Sequence, residues 1–212
     1  HQLKQPLNIL SLYCNDVKDS FFSNEINNKF IDDFSKNTKE QINFLSETID
    51  DFRDFFNPNK QKVVFEIKSA IEKSLKFMGN QFEMNRVKIN IEYKDEKVYG
   101  IETELEQVIL NILNNSMDAF KERKIENKEI NIKVLSKQSY TILIMEDNAG
   151  GVKEESLEKI FDPYYTTKST GTGTGLYMVK LVVKNSLQGD LKINNSEKGL
   201  RYIIALPQKE ES

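Results

Sequence analysis

ELEQVILNILNNSMDAF, Glu104 to Phe120, repeats its apolar residues at helical period. Leu105, Val108, Ile109, Ile112, Leu113 and Ala119 form one stripe, and Asn111, Asn115 and Asp118 fall on a neighbouring face. The stretch is therefore an amphipathic helix with amides at the border of its apolar face. An amide oxygen there is a hard ligand of the kind Mg²⁺ accepts beside waters and phosphates. Taken alone, the same two asparagines are better explained as backbone hydrogen-bonding partners. Two later clusters shift that balance: Asp147-Asn-Ala-Gly-Gly151 and Gly171-Thr-Gly-Thr-Gly175.

Around this helix, short elements alternate. Val63 to Ile67 reads as a strand, Ser69 to Gly79 as a helix, Val87 to Tyr93 as a strand and Lys97 to Gly100 as an extended piece. Downstream, Glu129 to Leu135 and Tyr140 to Glu146 read as strands, Glu155 to Ile160 as a short helix, and Thr174 to Leu187 as a helix. Asp190 to Asn194 and Leu200 to Leu206 close the pattern as strands, with hairpins near Lys137 and Glu197. Interleaved helices and strands of this kind predict a mixed sheet with helices on one face, a two-layer α/β sandwich.

Upstream of Pro58 the period is different. Leu3, Leu7, Leu10, Cys14, Val17 and Phe21 alternate in steps of four and three, a heptad seam for helix-on-helix packing. Pro6 is expected to bend this helix near His1. After a polar break at Ser20 to Asn28, a second seam runs through Ile31, Phe34, Thr38, Ile42, Leu45, Ile49, Phe52 and Phe56, and Asn57-Pro58-Asn59 stops it. One hairpin cannot cover so wide an apolar face, so two are expected to pair as a dimeric four-helix bundle. The fold class is α+β, with a helical hairpin over residues 1–57 and the sandwich over residues 58–212.

Composition narrows the function. A net charge of −3 over 212 residues offers no electrostatic grip on nucleic acid or anionic lipid. A single cysteine, Cys14, excludes an internal disulfide framework and fits a reducing compartment. No apolar run spans a bilayer, so the expectation is a cytoplasmic region without membrane contact. The chain opens inside a helical pattern, which leads us to expect more sequence, and room for a membrane anchor, upstream of His1.

Four features carry chemistry. His1 is the sole histidine, and an imidazole with an ordinary pKa of about 6.5 is a nucleophile near neutral pH, though a terminal histidine is also commonly without a role. Asp147, where a strand ends, presents a carboxylate able to accept from an exocyclic amine, and Gly150 and Gly151 allow close approach to a flat ring. An ordinary Asp-Asn-Ala-Gly turn explains the same letters. Gly171, Gly173 and Gly175 run straight into a helix, as a phosphate cradle does and a linker does not. Between the clusters, Ile160-Phe-Asp-Pro-Tyr-Tyr-Thr-Thr-Lys168 offers aromatic anchors for a lid and a lysine for a terminal phosphate; Lys168 is as well explained by solvation.

With these residues assembled, the chain resembles a bacterial sensor histidine kinase over essentially its whole length. His1 to Leu7 is similar to the phosphoacceptor box, Gln107 to Ala119 to the N box, Asp147 to Gly151 to the first glycine box, Phe161 to Lys168 to the F box, and Gly171 to Leu176 to the second glycine box. The resemblance implies a dimerisation and phosphotransfer hairpin followed by an ATP-binding domain of the GHKL type shared with gyrase, Hsp90 and MutL. It makes Asn115 the Mg²⁺ ligand, Asn111 a phosphate-side contact, Asp147 the adenine reader and the loop between Asn148 and Thr174 an ATP lid. Nucleotide contacts would also come from Gly151, Val152, Lys168, Gly171, Thr172, Gly173, Thr174, Gly175 and Leu176. The implied reaction moves the γ-phosphoryl of ATP to His1 and on to an aspartate of a response regulator's receiver domain. Gln2 stands where most members carry an acid, and Gln5 where many carry a threonine or asparagine linked to phosphatase activity. Two other classes remain as alternatives: a GHKL-type ATPase, which would need a water-activating glutamate where Asn111 stands, and a regulatory module that binds ATP with little kinase activity.

Overall fold

The computed structural model describes residues 4–23, 26–55, 61–166 and 173–209, apart from the side chains of 4–6, 40 and 43–55. The chain divides into two compact units, His1–Pro58 and Asn59–Ser212.

In the first unit, α1 (Lys4–Phe22) packs against α2 (Asn28–Phe55). Ser23 closes α1 by donating from both its N–H and its hydroxyl to Asp19 O, each at 3.0 Å. Asn27 opens α2 as an N-cap, its Oδ1 accepting from Phe30 N–H at 3.0 Å and so satisfying a first-turn amide that has no partner within the helix. Of the expected α1 seam, Leu10 and Val17 are half-buried, whereas Leu7, Cys14 and Phe21 are exposed. On α2, Phe34 and Thr38 are half-buried while Ile31 and Ile42 are exposed. The expected bend near His1 falls outside the described residues, as does Phe56, and the side chains of Leu45, Ile49 and Phe52 are outside them too.

The second unit begins with β1 (Val63–Glu66), which pairs antiparallel with β3 (Lys97–Gly100). The main sheet is mixed and five-stranded, built from β2 (Val87–Glu92), β4 (Lys128–Lys137), β5 (Tyr140–Asp147), β6 (Asp190–Asn195) and β7 (Leu200–Pro207). Its spatial order is β2-β4-β5-β7-β6, with β2 and β4 parallel and every other pair antiparallel. The register places Ile132 beside Met145 and Met145 beside Tyr202, all buried. Alternate residues along β5, Thr141, Leu143, Met145 and Asp147, are buried while those between are only half-buried, so one face of the sheet is dry. Against it lie α3 (Ile67–Asn85), α4 (Glu102–Glu122) and, after the short α5 (Glu154–Leu157), α6 (Gly175–Leu181); the inward residues of α3, α4 and α6 include Ile71, Leu105, Ile109, Ile112 and Val179. This is the expected mixed sheet with helices.

Two helices depart from expectation, the first for a simple reason. The helix expected to end at Gly79 continues to Asn85, because Met78 and Phe82 extend the buried stripe of Ile71 and Ser74, and burial outweighs one glycine's unfavourable helix propensity. It ends instead at Arg86, in the left-handed region at φ 55°. The helix after the second glycine cluster loosens into a π-turn at Val182–Ser186. A Cβ at Gly79 would meet nothing within 4 Å. Gly79→Ala is therefore expected to stabilise the second unit by about 0.5–1 kcal/mol, read as a raised urea midpoint with unchanged slope.

Candidate functional site

The site grows from one side of α4. Its apolar face is anchored by Leu105, Val108, Ile109, Ile112 and Leu113, each at most 1% exposed, which fixes Asn111 and Asn115 at the border as half-buried residues. Ser116, next to Asn115 and 3% exposed, donates from Oγ to Asp147 Oδ2 at 2.9 Å. Asp147, at the last position of β5, is only 4% exposed. Its Oδ1 accepts from Ala149 N–H at 2.9 Å and Leu200 N–H at 3.3 Å. A buried carboxylate without such donors would be costly, so these three bonds are what keep it in the core.

The turn after Asp147 is held from several sides. Asn148 donates from Nδ2 to Asn127 O at 2.7 Å, and its Oδ1 accepts from Glu129 N–H at 2.9 Å. Arg123, at the end of α4, donates to Ala149 O. Gly150 N–H donates to Lys198 O at 2.8 Å. Gly150 and Gly151 both have positive φ, 88° and 66°, where a side chain is strained. Gly151 is buried against Asn195, whose side chain pairs with both backbone groups of Val152: Oδ1 accepts from the N–H at 2.9 Å, and Nδ2 donates to the carbonyl at 2.7 Å. Behind the turn, Gly199 touches Asp147 so closely that a Cβ there would lie 2.0 Å from Asp147 O.

Burial, and then the charge of Asp147, push the hydroxyl of Tyr202 well above the usual tyrosine range. Its folded pKa lies above its unfolded value near 10, so the stability it lends is intact below pH 10 and is lost as pH rises beyond it. We expect unfolding free energy to fall between pH 10 and 11 by up to about 1.4 kcal/mol from this residue. Tyr202→Phe should flatten that slope in urea titrations.

The second glycine cluster approaches the same helix. Gly175 opens α6, and a Cβ on it would lie 3.9 Å from Asn115 Nδ2. Thr174 is the N-cap of α6, and Leu176 is half-buried. Gly173, at φ 66°, clasps Tyr164: Tyr164 N–H donates to Gly173 O at 3.0 Å, and a Cβ on Gly173 would lie 2.4 Å from the Tyr164 carbonyl carbon. Tyr164 itself takes a left-handed φ of 67° to make this contact. The neighbouring aromatics are anchored too: Tyr165 Oη donates to buried Ser156 Oγ at 2.8 Å, and Lys180 Nζ sits 5.6 Å from the centre of the Phe161 ring. His1, Gln2, Lys168, Gly171 and Thr172 lie outside the described residues.

The structure thus gathers Asn115, Asp147 and Gly175 around α4, with Asn111 one turn before Asn115. Ser116, Arg123, Asn195 and Gly199 hold the site and were not singled out from sequence. Only Gly199 left a local sign, as the glycine of the Ser196-Glu-Lys-Gly199 hairpin; the others act through contacts 26 to 43 residues away. Among the described residues no cluster of three His, Cys, Asp or Glu could hold a metal alone. A divalent cation here would take one amide ligand from the protein and the rest from a phosphate-bearing ligand and water, which suits Mg²⁺.

Comparison with known proteins agrees with this fold. Residues 100–210 match the model of the histidine kinase-, DNA gyrase B- and HSP90-like ATPase family. Sporulation kinase B of Bacillus subtilis (strain 168) is 26% identical over 212 residues, covering 98% of this chain and 47% of the relative. The chain spans less than half the length of the first curated relatives it matches. Among solved structures, the Acinetobacter baumannii histidine kinase AdeS superposes with a TM-score of 0.69 at 19% identity, over 99% of this chain and 98% of that one. The histidine kinase ThkA, solved in complex with the response regulator protein TrrA, gives 0.65 at 19% identity over 99% and 59%. At such identities the likeness shows the fold alone.

Proposed function

The chain belongs to the histidine kinase-, DNA gyrase B- and HSP90-like ATPase family, and from that membership we propose that it is the transmitter region of a sensor histidine kinase. The observation that carries this reading is the meeting of Asp147, Asn115 and Gly175 at α4. It brings a buried carboxylate, a side-chain amide and a glycine-opened helix to one side of the second unit, which supports the reading. Asp147 reads the adenine amine of ATP, and Gly151 and Val152 supply further nucleotide contacts beside it. Asn111, Lys168 and the stretch Gly171, Thr172, Gly173, Thr174, Gly175, Leu176 would supply the remaining nucleotide contacts, chiefly to the phosphates. Asn115 would hold Mg²⁺, which when bound neutralises charge on the phosphates.

An imidazole nitrogen of His1 attacks the γ-phosphorus. The new N–P bond forms as the bond to the bridging oxygen breaks and ADP leaves, so catalysis is chiefly positioning and electrostatics. The phosphoryl group then passes to an aspartate of a receiver domain in the cytoplasm. The first unit, residues 1–57, supplies the acceptor and pairs with a second copy as a four-helix bundle. Exposed Leu7, Phe21, Ile31 and Ile42 on a two-helix unit support that pairing, because a bundle would cover them. The catalytic unit is residues 58–212.

Incubating the chain, extended upstream of His1, with ATP radiolabelled on its γ-phosphate tests the proposal. Acid-labile, base-stable label on the protein is the expected result. Free phosphate alone would indicate an ATPase, and neither product would indicate a regulatory module. Gln2 can orient the imidazole but cannot take its proton, so Gln2→Glu is expected to accelerate labelling about tenfold or more. An unchanged or lower initial rate would refute that role for residue 2.

A further inference from the structure

Ser116 has no part in the reaction as described, yet it is buried with its hydroxyl on the one carboxylate assigned to base reading. An ionised carboxylate offers about four acceptor positions. The protein fills two on Oδ1, from Ala149 N–H and Leu200 N–H, and Ser116 fills one on Oδ2, its hydroxyl lying nearer that oxygen, at 2.9 Å, than its other acceptor, Ile112 O, at 3.3 Å. Among the described residues, this leaves a single acceptor position on Oδ2 without a donor. We propose that Ser116 is a specificity-determining positioning residue: by donating to Oδ2 it fixes the plane of the Asp147 carboxylate and aims its one open acceptor position at a nucleobase amine.

Three features support this assignment. Ser116 lies directly after Asn115 on α4, so the same helix that carries the proposed metal ligand also sets the base reader. The two backbone donors act on Oδ1 alone and come from β7 and from the turn after β5, leaving Oδ2 with Ser116 as its donor across the helix–sheet boundary. Gly199 packs against the opposite side of Asp147, where a Cβ would lie 2.6 Å from Oδ1, so the carboxylate has a wall on one side and a hydroxyl on the other. A base presenting an oxygen at the same place meets a charged acceptor and is rejected. The inference rests on the adenine-reading role given to Asp147 above.

The test compares ADP with inosine diphosphate, which carries an oxygen in place of the exocyclic amine, by calorimetric titration of the full chain in Mg²⁺. The wild type is expected to prefer ADP. Ser116→Ala should weaken ADP about tenfold, the scale of a lost hydrogen bond to a charged group, and change inosine diphosphate by less than twofold. Ser116→Cys keeps the volume with a weak donor and should fall between the two. Equal losses for both nucleotides in Ser116→Ala, or a wild-type ratio in Ser116→Cys, would mean packing rather than proton donation and overturn the inference. Asp147→Asn separates the levels. If it abolishes the preference while Ser116→Ala leaves it intact, only the role of Ser116 fails; if it leaves the preference intact, the adenine reading fails and takes this inference with it.

Discussion

Gly199→Ala is expected to abolish nucleotide binding and to destabilise the second unit by about 3 kcal/mol, the upper part of the usual range for overpacking. The added methyl would sit 2.0 Å from Asp147 O and 2.6 Å from Oδ1, and the nearest of these is backbone rather than the end of a flexible side chain. Either β5 or β7 must move, and both are inner strands of the five-stranded sheet. Movement of β7 would also withdraw Leu200 N–H from the carboxylate. Urea unfolding and ADP titration check the two halves of this expectation. Gly79→Ala serves as the matched control, since it adds the same methyl where there is open space.

His1→Ala and Asn115→Ala are each expected to lower labelling from ATP by about a thousandfold or more, by different routes. His1→Ala removes the acceptor and should leave ATP affinity unchanged. Asn115→Ala removes the amide proposed to hold Mg²⁺, so its loss should shrink the Mg²⁺ dependence of nucleotide binding as well as the rate. Asn115 is half-buried at the edge of α4, so the variant should fold. Label surviving in His1→Ala would move the acceptor elsewhere; undiminished labelling in Asn115→Ala would remove that residue from the metal site.

The sheet was legible because it alternates. β5 and β7 read buried and half-buried by turns, and β2 through β7 appear within one or two residues of where period-two patterning places them. α4 was legible for the corresponding reason at period 3.6. The ends of helices were not: Gly79 looks like a stop, and the tertiary burial of Met78 and Phe82 that carries α3 past it is invisible in a local window. The chemical letters of the site, Asn111, Asn115, Asp147 and the glycines, could be read as motifs. Their supports could not, since Ser116 meets Asp147 across 31 residues and Leu200 meets it across 53. Asn195 looks like any polar strand end until it is seen gripping Val152 from 43 residues away.

The clasp between Tyr164 and Gly173 has a use in engineering. It brings the two ends of the intervening segment within one backbone hydrogen bond of each other, so the frame does not depend on how many residues join them. Closure entropy grows only with the logarithm of length, about 0.6 kcal/mol per doubling. The clasp therefore ties the residues up to Tyr164 to those from Gly173 onward by a backbone bond of its own, so substitutions at Lys168, Gly171 or Thr172 can be read for ligand binding while the framework on either side keeps its shape.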